Sequence, residues 1–169
     1  MKRATAKKSK SWSDLTAKDV MERRVVSVSP SSPLSEVERL LTEHRISGMP
    51  VTDSSGRAIG VVSYRDLFDH YAENPESRPS RVPGFFRLST EHLADEDFES
   101  FEVPPESEDT VADVMTPAIV DVETEASIPE ICRTMSRNSV HRVLVTEGES
   151  GKMVGIVSSL SVLAAIAGE

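Results

Sequence analysis

The strongest constraint on the fold of this chain is an internal repeat. KDVM at 18–21 returns as ADVM at 112–115, and the segments that follow correspond in order. VVSV (25–28) lies on IVDV (119–122), LSEVERLL (34–41) on IPEICRTM (128–135), and MPVTD (49–53) on VLVTE (143–147). After one extra residue in the following turn, RAIGVVS (57–63) lies on KMVGIVS (152–158). A long duplicated pattern of this kind demands two copies of one supersecondary unit.

Each copy decodes in the same way. A short apolar stretch with a period near two predicts a strand. A helix follows. In the first copy Ser32 is placed to cap it, Pro33 to open it, and Leu34, Val37, Leu40 and Leu41 form an apolar stripe at helical spacing. In the second copy Ser127 and Glu130 have capping-box spacing, and Ile128, Ile131 and Met135 form the stripe. Two strands joined by a glycine turn come next, SSGR in one copy and GESGK in the other. A last helix is predicted from Tyr64 to about Ala72, and from Ser159 to about Ala167. The fold class is therefore α/β (α+β), with tandem β-α-β-β-α units at 17–73 and 111–169. A unit of about 60 residues buries too little surface alone. The two are expected to pack together about an approximate two-fold axis, with equivalent loops around shared clefts.

Two segments fall outside the repeat. Residues 1–16 form a basic arm expected to be disordered. Residues 74–110 are rich in proline and acid, yet carry GFF at 84–86, Leu93, Phe98 and Phe101. A purely solvated linker has no use for those rings, so a partly ordered connector that docks its aromatics is expected.

Charge and composition exclude several roles. The net charge of -9 argues against a nucleic-acid surface. No apolar run approaches the roughly 20 residues needed to span a bilayer, and no apolar stretch follows the basic start. The single cysteine, Cys132, has no partner for a disulfide, and no Cys/His spacing suits a metal. Together these features point to the cytoplasm. Cys132 reads as a buried, inert thiol beside the helical stripe, and His44 and His70 as surface residues near helix ends.

DVM, VVSV, LSEV, GMPV-x-D-x-x-G and GVVS-x-x-DL, followed by a degenerate second copy, resemble a pair of cystathionine-β-synthase-type (CBS) domains, a Bateman module. The resemblance implies a regulatory module and not an enzyme. Its clefts would bind an adenosine-containing ligand: AMP, ADP, ATP, S-adenosylmethionine, NAD(H) or a dinucleotide polyphosphate. The ligand is regulatory and no cofactor is obligatory. Occupancy would be signalled to an unidentified regulated protein by a change of shape, and the assembly would be a homodimer.

Ser63 and Asp66 are where residue chemistry and resemblance meet. Free N–H groups at the start of the last helix suit a phosphate, and the Ser63 hydroxyl can join them. Asp66, one turn on, is implied to accept the ribose hydroxyls. Ser-x-x-Asp is equally the start of a capped helix that needs no ligand. The second copy keeps the capping serine, Ser158, but has Ser161 in place of the acid. It has His141 and Arg142 where the first copy reads Ser-Gly. The resemblance implies that these meet the phosphate of the nucleotide held by Asp66, while Arg65 turns either to phosphate or to solvent. Val25, Val26, Met49 and Pro50 are the candidate walls for the base. Ile119, Val120, Val143, Leu144, Ser158 and Ser161 outline a weaker second site without a carboxylate. One competent site per chain is expected. The alternative is a protein-interaction scaffold whose clefts are vestigial.

Overall fold

The computed structural model describes residues 11–74 and 109–168. The expectations for 1–10 and for the aromatics between 84 and 101 lie outside the described residues. The chain divides into two compact units, one running up to Val25 and resuming at Ile119, the other comprising Val26–Ala118.

In the Val26–Ala118 unit, α2 (Leu34–His44) buries Leu34, Val37 and Leu41, the stripe that its sequence predicts. Pro33 is the N-cap in extended conformation and Ser32 contributes no cap, so the helix opens one residue later than expected. Pro33 supplies no side-chain cap; the Ser32 carbonyl instead receives Val111 N–H at 2.9 Å. Strands β1 (Gly48–Thr52) and β2 (Ala58–Ser63) form an antiparallel hairpin with Gly48 opposite Ser63. Its turn is organised by the Asp53 carboxylate, which accepts from Ser55 and from Arg57 N–H. Those hydrogen bonds, Ser55 first, hold the Asp53 carboxyl below the usual carboxylate range. Helix α3 (Tyr64–Glu73) follows β2 directly.

The other unit holds β3 (Asp121–Glu123), α5 (Ile128–Asn138), β4 (Arg142–Glu147), β5 (Lys152–Ser158) and α6 (Ser159–Ala167). Strand β3 runs parallel to β4, and β4 antiparallel to β5. Ile128, Ile131, Val143, Val145 and Val157 are almost wholly buried. Burying each such side chain contributes about 1.5–3 kcal/mol relative to exposure. The expected first-copy counterpart of β3, VVSV, is not a strand. It shrinks to a parallel bridge between Val28 and Val51. Cys132 is exposed, not buried. It lies about 100° around α5 from Ile131, beyond the inward face that Ile128, Ile131 and Met135 complete. Residues 11–16 are a structured lead-in, a 3-10 turn at Trp12–Asp14 followed by a bridge between Thr16 and Ser127.

The compact units do not coincide with the two sequence copies. Helix α1 (Ala17–Val20), from the first copy, belongs to the unit of the second. Ala17 N–H donates to the Ala126 carbonyl at 2.9 Å, Glu22 and Ile156 exchange backbone bonds at 2.9 and 3.0 Å, and Ala17 is fully buried. Helix α4 (Val111–Val114), from the second copy, belongs to the Val26–Ala118 unit. There Val111 is fully buried in a core with Val37, Leu41, Val51 and Val62. Thr116 exchanges backbone bonds with Val61 at 2.9 and 3.0 Å. A four-residue helix cannot bury surface by itself, so each is held by a cap at one end and by this edge pairing at the other.

The cap of α4 makes a pH prediction. Thr110 N–H and hydroxyl both donate to Asp113 at 2.8 Å and hold its carboxyl below the ordinary carboxylate range. A depressed carboxyl contributes stability that is complete above the unfolded value and lost as pH falls through the folded one. Asp113→Asn is expected to flatten the acid limb of a stability–pH profile measured by urea unfolding, and to leave its shape near neutrality unchanged.

Candidate functional site

In the Val26–Ala118 unit the polar centre of the site stands at the start of α3. Ser63 is the N-cap, extended at φ -139° and ψ 171°, and Asp66 is the third helical residue. They form a capping box. The Asp66 Oδ2 accepts from Ser63 N–H at 2.8 Å and also from the Ser63 hydroxyl. The other oxygen, Oδ1, accepts from the Thr116 hydroxyl at 3.0 Å. A carboxylate offers about four lone-pair sites. Three are used, so the open one is on Oδ1. Accepting both hydroxyls of a ribose requires the Ser63 hydroxyl to swing off Oδ2, a rotation about one side-chain bond. The pair as it stands is a capped helix start, and the acceptor reading of Ser-x-x-Asp requires that rotation.

The other candidates of this unit have different surroundings. Arg65 is 88% exposed and faces Asp69 along the helix at 3.5 Å. Met49 is buried in the core and Pro50 is buried beside it on β1, its carbonyl receiving Val28 N–H at 3.1 Å. Val26 is partly buried against the same core. At the far end of α3, His70 Nε2 lies 3.1 Å from Asp109 Oδ2, with its side chain only 14% exposed. His70 is therefore a half-buried clasp and not the surface residue expected from its place near a helix end. His44, at the end of α2, is exposed as expected.

The second unit repeats the pattern with substitutions. Ser158 caps α6 by accepting Ser161 N–H at 3.1 Å, and the two hydroxyls are 2.9 Å apart. The cap survives without the acid, as the aligned copies predict. Arg142 opens β4 opposite Ser158, where Gly48 stands opposite Ser63 in the other unit. The His141 carbonyl receives Ser159 N–H at 2.9 Å, and both the His141 and Arg142 side chains are exposed. Val143 and Leu144 are buried on β4, and Val120 packs on the core while its carbonyl receives Leu144 N–H at 3.0 Å. Ile119 is half-buried, and so is Val25, which falls in this unit while its sequence neighbour Val26 falls in the other.

Sequence reasoning missed two residues. Thr116 follows ADVM and Glu22 follows KDVM. Thr116 pairs with Val61, two residues before Ser63; Glu22 pairs with Ile156, two residues before Ser158. The acid on the helix thus goes with a hydroxyl on the neighbouring segment, and the serine on the helix with a carboxylate. The Glu22 carboxylate accepts Arg24 N–H at 2.7 Å. The aligned repeat shows the Glu/Thr difference but not its address, because each segment pairs with the other copy's strand. Among the described residues no His, Cys, Asp and Glu group of three or more is placed to hold a metal ion, and no helix is long and apolar enough to cross a membrane.

Comparison with known proteins agrees with this architecture. The family model described as CBS domain matches residues 17–73 and again 111–168. The uncharacterized protein MJ1426 of Methanocaldococcus jannaschii is 27% identical over 146 residues, which cover 83% of this chain and 84% of that protein. The chloroplastic CBS domain-containing protein CBSX1 of Arabidopsis thaliana is 27% identical over 145 residues, 82% of this chain but 57% of the relative's own length. Among solved structures, CBSX2 in complex with AMP superposes with a TM-score of 0.64 at 22% identity, covering 90% of this chain and 96% of that one. The CBS domain pair of MJ0100, in complex with 5′-methylthioadenosine and S-adenosyl-L-methionine, gives 0.63 at 17% identity, covering 91% and 97%. These two likenesses establish the shared fold.

Proposed function

The chain belongs to the CBS domain family, and on that premise we propose that it is a regulatory module that binds an adenosine-containing nucleotide. The single observation that carries the reading is the Ser63–Asp66 pair at the start of α3, with an acceptor site open on Oδ1 and a second released by one hydroxyl rotation. In this proposal Asp66 receives the ribose hydroxyls. Ser63 turns to the phosphate at the helix start, where the helix dipole favours an anion. In the other unit Arg142 carries a guanidinium, whose planar fork suits phosphate oxygens, and His141 precedes it in sequence. The AMP and S-adenosylmethionine held by the structural neighbours support the ligand class. The role is binding and not catalysis, with the shape change read by a regulated protein and by a second copy of the chain.

Isothermal titration with AMP, ATP, S-adenosylmethionine and NAD(H) tests this. At least one is expected to bind more tightly than millimolar. At 100-fold its dissociation constant that ligand adds about 2.7 kcal/mol of stability, a readily measured rise in melting temperature.

One observation favours a second reading, the interaction scaffold. Leu160, Leu163 and Ile166 are exposed on α6 at 74%, 60% and 47%, at helical spacing along one side. Exposed apolar groups of this kind mark contact surfaces. A scaffold's melting temperature ignores all four nucleotides, and that result rejects the sensing reading.

A further inference from the structure

Resting on the nucleotide reading above, we propose that Thr116 is the positioning residue for the ligand-binding acid: its hydroxyl fixes the Asp66 carboxylate in the orientation that receives a ribose diol. The terminal torsion of an aspartate is broad, so one anchored oxygen leaves the other free to swing. Ser63 anchors Oδ2. The second anchor is the Thr116 hydroxyl on Oδ1 at 3.0 Å, and with both in place the open lone pair of Oδ1 has a defined direction.

The donor is itself held rigidly. Thr116 N–H and carbonyl are both bonded to Val61, at 2.9 and 3.0 Å, which locks its backbone to the edge of β2. The approach is close because Gly60 has no side chain: a Cβ there would lie 2.7 Å from the Thr116 carbonyl oxygen. The same segment begins at Asp109, which faces His70 at 3.1 Å, so α3 is gripped by it near both ends. A carboxylate at 116 would set like charges against each other. Where the other unit has Glu22 on the equivalent segment, its helix carries Ser161 and not an acid. Thr116 touches Asp66 and acts through it, so its effect is confined to the part of the ligand that Asp66 reads.

The test is titration of AMP and of 2′-deoxy-AMP into the full chain, as wild type, Thr116→Val and Thr116→Ser, with Thr116→Ala as a second deletion of the hydroxyl should the valine variant fold poorly by circular dichroism. Wild type is expected to prefer AMP by about tenfold, the worth of one hydrogen bond to a charged group. Thr116→Val is expected to lose most of that preference by weakening AMP more than 2′-deoxy-AMP, which offers Asp66 a single hydroxyl, and Thr116→Ser to restore it. Retained preference in both hydroxyl-free variants, or equal weakening of both ligands, overturns the proposal and leaves the nucleotide reading standing. Wild type that binds AMP and 2′-deoxy-AMP alike overturns this proposal and the placing of the ribose on Asp66, and wild type that binds none of AMP, ATP, S-adenosylmethionine and NAD(H) overturns the nucleotide reading with it.

Discussion

Asp66→Ala is expected to weaken AMP binding by about 100-fold or more. Two charge-assisted hydrogen bonds from a ribose, at roughly 1.5–3 kcal/mol each, are lost with the carboxylate, and each 1.4 kcal/mol is a factor of about ten. The same change removes the acceptor of Ser63 N–H, so it also costs about 1 kcal/mol of helix capping. The two effects are separated by Asp66→Asn. An amide oxygen still caps α3, but the charge is gone and one of the two oxygens has become a donor. Asp66→Asn is therefore expected to melt near wild type and still bind AMP much more weakly. Calorimetric titration and thermal melting on both variants check this. Unchanged affinity in either variant removes Asp66 from the ligand site and reduces it to a helix cap.

Gly60→Ala is expected to destabilise the protein by about 1–3 kcal/mol, and by clearly more than Gly155→Ala. The two glycines are equivalent in the repeat, and each faces a segment from the other copy. The difference lies in what a new methyl meets. At Gly60 it would lie 2.7 Å from the Thr116 carbonyl oxygen and 3.4 Å from Pro117 Cα, both backbone atoms. At Gly155 it would lie 2.5 Å from Met21 Sδ and 2.9 Å from Met21 Cγ, with the Glu22 carbonyl oxygen at 3.0 Å. An unbranched thioether can swing away, whereas a carbonyl bonded to Val61 cannot move without breaking the edge pairing. Urea unfolding without ligand measures both. Equal losses at the two positions contradict the assignment of the Gly60 cost to backbone. Because displacement of Thr116 also disturbs Asp66, Gly60→Ala is expected to bind AMP more weakly than Gly155→Ala.

The parts of the fold legible in the sequence are those decided within a turn or a strand. The stripes Leu34–Val37–Leu41 and Ile128–Ile131–Met135 are buried as their spacing requires. The glycine turns and the Ser63 and Ser158 caps stand where the residue types place them. Reading fails where the outcome depends on which neighbour arrives. Cys132 is exposed because three other residues complete the inward face of α5. VVSV keeps the composition of a strand but has ladder partners only around Val28. Ser32 has the chemistry of a cap, yet the helix starts after Pro33.

What the sequence alone determined is a duplicated β-α-β-β-α grammar, its core faces, and a Ser-x-x-Asp that survives in only one copy. What only the tertiary structure decided is which DVM segment joins which half, and hence that Asp66 meets Thr116 while Ser161 shares its unit with Glu22. The reason is that the two segments have nearly the same shape and the same caps, so either satisfies the local rules of either half. The choice between them is made by chain closure and packing over long separations, and that information is not carried by any short stretch of residues.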